Sequence, residues 1–196
     1  MKKKLILVSA PPACGKTYVS ERIANSVDHI VYLDKDDLSD LVRASFTVSE
    51  QDVDMDGEFY INNIRSAEYS TILNIAFSAL RFEDTVLLNA PLGKEVRDTE
   101  FMKTVRNRAH KQGAELVLLW ISVPVSVCFE RMKQRNSDRD TEKLKNWESY
   151  IRKINFAPPY ELEKENAVDR FMVFDATDKT TTDLSLEKTL QMILSE

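Results

Sequence analysis

Residues 10–17 read Ala-Pro-Pro-Ala-Cys-Gly-Lys-Thr, a set whose types and order suit the holding of a phosphate chain. Several backbone N–H groups must converge on such an anion, and a side chain beyond Cβ would block the approach. Gly15 keeps the backbone close, Lys16 can reach the terminal phosphates as a point charge, and the Thr17 hydroxyl can ligate Mg²⁺. The first turn of a following helix adds free amides and a favourable dipole. Ala10 stands where this pattern usually has its first glycine, a replacement that the space tolerates.

Three further sets could act beside such a loop. Leu33-Asp34-Lys35-Asp36-Asp37-Leu38 ends an apolar run, and ligands of an open parallel sheet lie beyond the carboxyl ends of its strands. One acid there could take the proton of an attacking hydroxyl, and another could hold a magnesium-bound water. Asp36 is the expected base, Asp34 the expected metal-side acid, and Asp37 a support on the acceptor side. Asp34 or Asp36 would equally suit the N-cap of a helix starting near Asp37, and the two roles are compatible. Asn89 opens Asn89-Ala90-Pro91-Leu92-Gly93, where many phosphate-loop proteins carry an acid for the magnesium shell. The neutral amide could orient the acceptor or a water, or simply begin a Pro-Gly turn. Arg97, a little further on, could meet an anionic acceptor or only solvent. The third set is Arg131, Lys133, Arg135 and Arg139, with Asp138 and Asp140 interleaved. Arg131 and Arg135 share a helical face. Guanidinium groups over the phosphates would stabilise the charge spread during transfer, and a lid over residues 131–145 would exclude water. The alternative is a solvated helix with salt bridges.

The surrounding pattern alternates strand and helix, which predicts a parallel sheet covered on both faces. Strands are expected at residues 4–9, 30–33, 85–88, 115–122 and 170–174. Helices are expected at 15–26, 58–82, 94–112 with Gly113 closing it, from Pro124 to about 135, on to about 154, and at 184–194. The long helix from 58 offers Ile61, Ile64, Tyr69, Ile72, Leu73, Ala76, Phe77 and Leu80 as an inner face. No repeat or linker divides the chain, so residues 1–196 read as one domain. The segments 47–57 and 156–169 read as mobile or substrate-facing.

A net charge of −5 gives no general attraction to a long polyanion, which argues against long nucleic acid as partner. No apolar run approaches the length of a membrane span, and no signal peptide follows Lys2-Lys3-Lys4. Cys14 and Cys128 have neither metal-site nor framework spacing, which fits a reducing cytoplasm. Cys14, near a helix N-terminus, reads as a small loop residue before it reads as an acidified thiol. His29 and His110 are isolated.

Together APPACGKT at 10–17, DKDDL at 34–38, NAPLG at 89–93 and CFERMKQR at 128–135, with Arg139 behind it, resemble the P-loop kinases of the nucleoside-monophosphate-kinase-like superfamily. The closer likeness is to the small AAA_33 or zeta-toxin-like group, which includes chloramphenicol phosphotransferase and the kinase domain of polynucleotide kinase. The resemblance implies an α/β, three-layer P-loop NTPase fold with a five-stranded parallel sheet in the order 2-3-1-4-5 and a short helical lid. It implies ATP with Mg²⁺, Asp36 as base, and Arg131, Arg135 and Arg139 in the lid. ATP would lie on Ala10, Pro11, Pro12, Ala13, Cys14, Gly15, Lys16, Thr17 and Tyr18, with the loop Ala176-Thr177-Asp178 near adenine and Thr177 as its contact. Lys16 would serve catalysis, Thr17 and Asp34 the metal, and Asp36, Asp37, Asn89 and Arg97 the acceptor. The expected activity is transfer of the γ-phosphoryl group to a hydroxyl of a small molecule. A 5′-hydroxyl polynucleotide kinase would need a basic or aromatic track, and residues 47–58 are acidic instead. A nucleotide-dependent ATPase or switch is the remaining alternative.

Overall fold

Continuous apolar runs such as Leu5-Ile6-Leu7-Val8 suit strands buried on both faces. In a computed structural model, which describes residues 2–195 except the side chains of Asp138 and Arg139, these runs form five strands. They are β1 (Lys3–Ser9), β2 (Ile30–Asp34), β3 (Thr85–Asn89), β4 (Ala114–Ser122) and β5 (Arg170–Asp175). All neighbours are parallel, in the order β2-β3-β1-β4-β5. The helices are α1 (Lys16–Ala24), α2 (Ser39–Val48), α3 (Arg65–Ala79), α4 (Thr99–His110), α5 (Val125–Arg135), α6 (Asp138–Lys145), α7 (Trp147–Arg152), α8 (Glu161–Lys164) and α9 (Lys179–Leu194).

Alternate strand residues feed two cores, as the pleat requires. Leu5, Leu7, Val86, Leu88, Leu116 and Leu118 pack under α3 and α4 with Ile72, Phe77, Met102 and Val105. Ile6, Val8, Leu87, Val117, Leu119 and Ile121 pack under α1, α5 and α9 with Val19, Ile23, Cys128 and Ile193. The resulting three-layer α/β arrangement and its strand order agree with the expectation. No helix among the described residues is long and apolar enough to cross a membrane.

Several boundaries differ from the expectation, each for a local reason. The helix expected from 94 begins as a 3₁₀ turn (Glu95–Arg97) and breaks at extended Asp98, whose carboxylate caps α4 through the Phe101 amide at 3.0 Å. The last helix starts five residues earlier than expected, because Asp178 and Thr181 form a reciprocal capping box. The helix after Pro124 ends at Asn136 in the left-handed conformation (φ 46°), and the following helical stretch breaks again at Asn146. Ile61 is 41% exposed, not on the inner face. A π turn over Tyr60–Ile64 inserts one residue into the helical register, so Tyr60 and Ile64 turn inward toward Val42 and Phe46.

Candidate active site

Strand register assembles the site. Val8, Asn89 and Asp34 lie side by side at the carboxyl ends of β1, β3 and β2. The chain leaves β1 at the centre of the sheet and enters the loop at residues 10–15, which ends at the start of α1. Ala13 (φ 62°) and Gly15 (φ 87°) are left-handed, a sequence of turns that aims successive amides into one concavity. Gly15 is favoured by its φ, which disfavours a side chain; a Cβ there would only touch the Arg131 guanidinium, at 3.4 Å.

Asn89, fully buried, is the hub. Its Oδ1 accepts from Lys16 Nζ at 2.5 Å and from Ser20 Oγ at 3.3 Å. Its Nδ2 faces Thr17 Oγ1 at 3.2 Å, the Tyr32 hydroxyl at 3.3 Å and the Asp34 carboxylate. The charges around it fix the amide orientation, oxygen toward the ammonium and nitrogen toward the carboxylate. An aspartate here would set two carboxylates against each other with the single Tyr32 hydroxyl to share, so the neutral residue is the one that fits Asp34. Tyr32 also donates to Asp34 at 2.9 Å. Burial pulls the Lys16 ammonium down to about 8, with Asp34 and Asp36 opposing that shift.

Asp34 does cap the next turn. Its Oδ1 accepts from the Asp36 amide at 2.9 Å and so fixes the 3₁₀ turn (Lys35–Leu38) that carries Asp36. The Asp36 side chain is 69% exposed and faces Lys35 Nζ at 3.3 Å. Asp37 is exposed beside it. Behind them lies a buried group that the sequence reading overlooked. Lys35 Nζ pairs with Glu68 at 2.9 Å, and the Tyr60 hydroxyl donates to the other Glu68 oxygen. Burial pushes the Lys35 ammonium down, but Glu68 and Asp36 more than offset it and leave it above its usual value. Arg65 forms a two-pronged pair with Glu95 and stacks on Tyr69.

The arginines separate. Arg131 reaches the loop, donating to the Cys14 carbonyl at 3.1 Å and to the Ala176 carbonyl at 2.6 Å. With Gly15, Tyr18, Ala176 and Thr182 it lines an open cavity of about 210 Å³. Thr177, expected near adenine, adjoins this cavity without lining it. Arg135 is not brought to the loop but gives two hydrogen bonds to buried Asp140, because α5 ends at Asn136 and turns α6 back across it. The expectation for the Arg139 side chain falls outside the described residues. Arg97 meets neither solvent alone nor the Lys16 cluster: it bonds the Ala157 carbonyl and Glu161 and lies over Trp120. A larger cavity, about 470 Å³, lies at the opposite end of the sheet among Asp28, His29, Phe82 and Asp84.

This loop, on the central strand of a 2-3-1-4-5 sheet, defines a nucleotide-binding P-loop protein of the kinase fold. Residues 5–156 match the AAA_33 family, described as an AAA domain, and the chain belongs to that family. No curated protein matches it. Among solved structures it is similar to a candidate kinase from Chloroflexus aurantiacus, with 16% identity, a TM-score of 0.64, and 98% of this chain and 97% of that one covered. A sugar kinase from Janibacter shares 13% identity at a TM-score of 0.57, over 97% of this chain and 94% of that one. A shikimate kinase from Bacteroides thetaiotaomicron shares 15% identity at a TM-score of 0.54, over 97% and 98%. At these identities the likeness is one of fold.

Proposed function

We propose that this chain transfers the γ-phosphoryl group of ATP to a hydroxyl of a small molecule. One observation carries the reading: Lys16 and Thr17 of the P-loop share Asn89 with Asp34, whose other oxygen holds the amide of Asp36. An ATPase or switch also sets an acid beside the loop, for Mg²⁺ or water; here the Asp36 side chain is 69% exposed, which leaves room for an acceptor larger than water. The small-molecule kinases among the fold relatives support the acceptor class.

In this reading the loop amides and Lys16 hold and neutralise the phosphates. Asp36, open to the acceptor side, takes the hydroxyl proton as the new bond forms. Asp37 stands ready to bind the acceptor, and Asn89 keeps Asp34 and Lys16 in place. Arg131 joins the loop to the turn after β5 and closes the cavity suited to the base. Mg²⁺ fits the donor set, because the Thr17 hydroxyl and the Asp34 carboxylate are hard oxygens sharing one amide. Thr17 would ligate it directly and Asp34 through water, and when bound it would neutralise charge between the phosphates.

The test is Mg²⁺-dependent ADP release with pooled hydroxyl acceptors and a 5′-hydroxyl oligonucleotide, for the wild type and Asp36→Asn together. The substitution should lower acceptor-dependent turnover by about 10²–10⁴-fold and leave ATP affinity intact. ADP release that needs no acceptor and survives the substitution would defeat the proposal.

A further inference from the structure

The chain has two cysteines, 114 positions apart. The fold sets the sulfurs of Cys14 and Cys128 3.6 Å from each other, both residues buried. Cys14 belongs to the P-loop, between left-handed Ala13 and Gly15. Cys128 lies on α5, the helix that also sends Arg131 to the Cys14 carbonyl. Phosphoryl transfer makes no use of either thiol, and packing asks only for a small apolar group at each place.

We propose that Cys14 and Cys128 form a reversible disulfide that shuts the P-loop to nucleotide. A disulfide holds its sulfurs at about 2.0 Å. Closing the present 3.6 Å gap therefore brings the sulfurs together by about 1.5 Å, a movement shared by side-chain rotation, the loop and α5. The amides that must converge on phosphate belong to that same loop. The share that the loop backbone takes lengthens and tilts those amide hydrogen bonds, which weaken steeply away from about 2.9 Å and a straight angle. The Arg131 bridge between Cys14 and Ala176 moves with it.

The oxidant is a small hydroperoxide. One hydrogen bond joins the two thiols, with either sulfur able to donate, and the Arg131 guanidinium favours a thiolate within the pair. Either thiol can be the first nucleophile with the same balance of atoms. With Cys128 first, its sulfur attacks one oxygen of hydrogen peroxide, the O–O bond breaks, and water leaves behind a sulfenic acid. The Cys14 sulfur then displaces the hydroxyl from Cys128 as a second water. Two thiols lose two electrons and two protons, and one peroxide becomes two waters. A dithiol reverses the bond by exchange. Since the pair is buried, oxidation requires the loop to open, and bound nucleotide opposes it.

The reduced full chain is treated with hydrogen peroxide, with and without ATP. Intact mass and non-reducing peptide maps read the disulfide, and calorimetric titration reads ATP affinity. The expected result is loss of two hydrogens, a cross-linked Cys14–Cys128 peptide, and ATP affinity lower by about tenfold or more, recovered with dithiothreitol. By reciprocity, a tenfold difference means that ATP raises the reduction potential of the pair by about 30 mV. Cys128→Ser should bind ATP like the reduced wild type and keep that affinity through peroxide. Cys128→Ala serves if a hydroxyl at the buried position impairs folding. Two alkylatable thiols after peroxide, a disulfide with unchanged ATP affinity, or an equal loss in the Cys128 variants would each overturn the proposal. Reduced wild type that binds no ATP overturns the gating and the kinase reading together, and the thiol count then still decides whether the bond forms.

Discussion

Replacing Glu68 by Gln should loosen the corner that carries Asp36. Glu68 and Lys35 are 5% and 7% exposed and lie 2.9 Å apart. In the variant the Lys35 ammonium stays buried, and its remaining anionic neighbour is the exposed Asp36 carboxylate at 3.3 Å. At an effective dielectric constant of about 20, a pair at this distance is worth about 6 kcal/mol before desolvation is counted. Breaking a buried pair by removing one partner costs about 3–5 kcal/mol net, because the other charge is left uncompensated. With about 2 cal/mol/K of unfolding entropy for each of 196 residues, that loss lowers Tm by about 7–12 °C. Scanning calorimetry of wild type and variant reads it directly. Lys35→Met combined with Glu68→Leu removes both charges and should recover about half the loss or more, leaving only the Tyr60 hydroxyl short of a partner. A loss under about 1 kcal/mol for Glu68→Gln would show that the pair is solvated and would refute the reasoning.

Lys16 makes a prediction with a defined sign. Its folded value of about 8 lies below the ordinary 10.5, so the charged form is the one that the apo fold disfavours. That cost is fully present below about 8 and disappears above about 10.5; Lys16→Met should therefore stabilise the apo protein at pH 7 by about 1–3 kcal/mol while abolishing ATP binding. Phosphates restore the charge, so titration at pH 8.5–9 in buffers of different ionisation enthalpy should show about one proton taken up per ATP, with affinity falling as pH rises through 8. Arg131→Met should weaken ATP binding about tenfold or more, through the lost Cys14–Ala176 bridge. Arg135→Met should leave ATP affinity within about threefold and lower Tm instead, because it strands the buried Asp140 carboxylate.

Local chemistry made much of this site legible. The P-loop, the acids after β2 and Asn89 after β3 could be found because each function resides in a short run whose strand context repeats along the chain. The same alternation marked all five strands. Tyr32 carried a readable signal too, two residues before Asp34 on the same side of a strand. The Lys35–Glu68 pair and the sulfur contact could not be read this way, since their partners lie 33 and 114 positions apart and meet only through tertiary packing. Arg135 illustrates a different limit. Its spacing from Arg131 predicts a shared face, but the left-handed Asn136 folds Asp140 back onto it and satisfies the charge at the corner between α5 and α6. The π turn displaced Ile61 because a helical wheel assumes an unbroken 3.6 period.

The central place of β1 also sets an order of events during synthesis. Its neighbours begin at Thr85 and Ala114, so the strand that ends in the P-loop leaves the ribosome with both edges bare. At about 5–20 residues per second, it waits several seconds for its first partner. Leu5-Ile6-Leu7-Val8 is an apolar edge of the kind that pairs with its own copies. Lys2, Lys3 and Lys4 set like charges against such pairing on the nascent chain. One of those guards is later swallowed by the fold. Lys4 ends 1% exposed with its Nζ on the Ser195 carbonyl at 3.0 Å, a bond that Lys4 cannot make until residue 195 has been added.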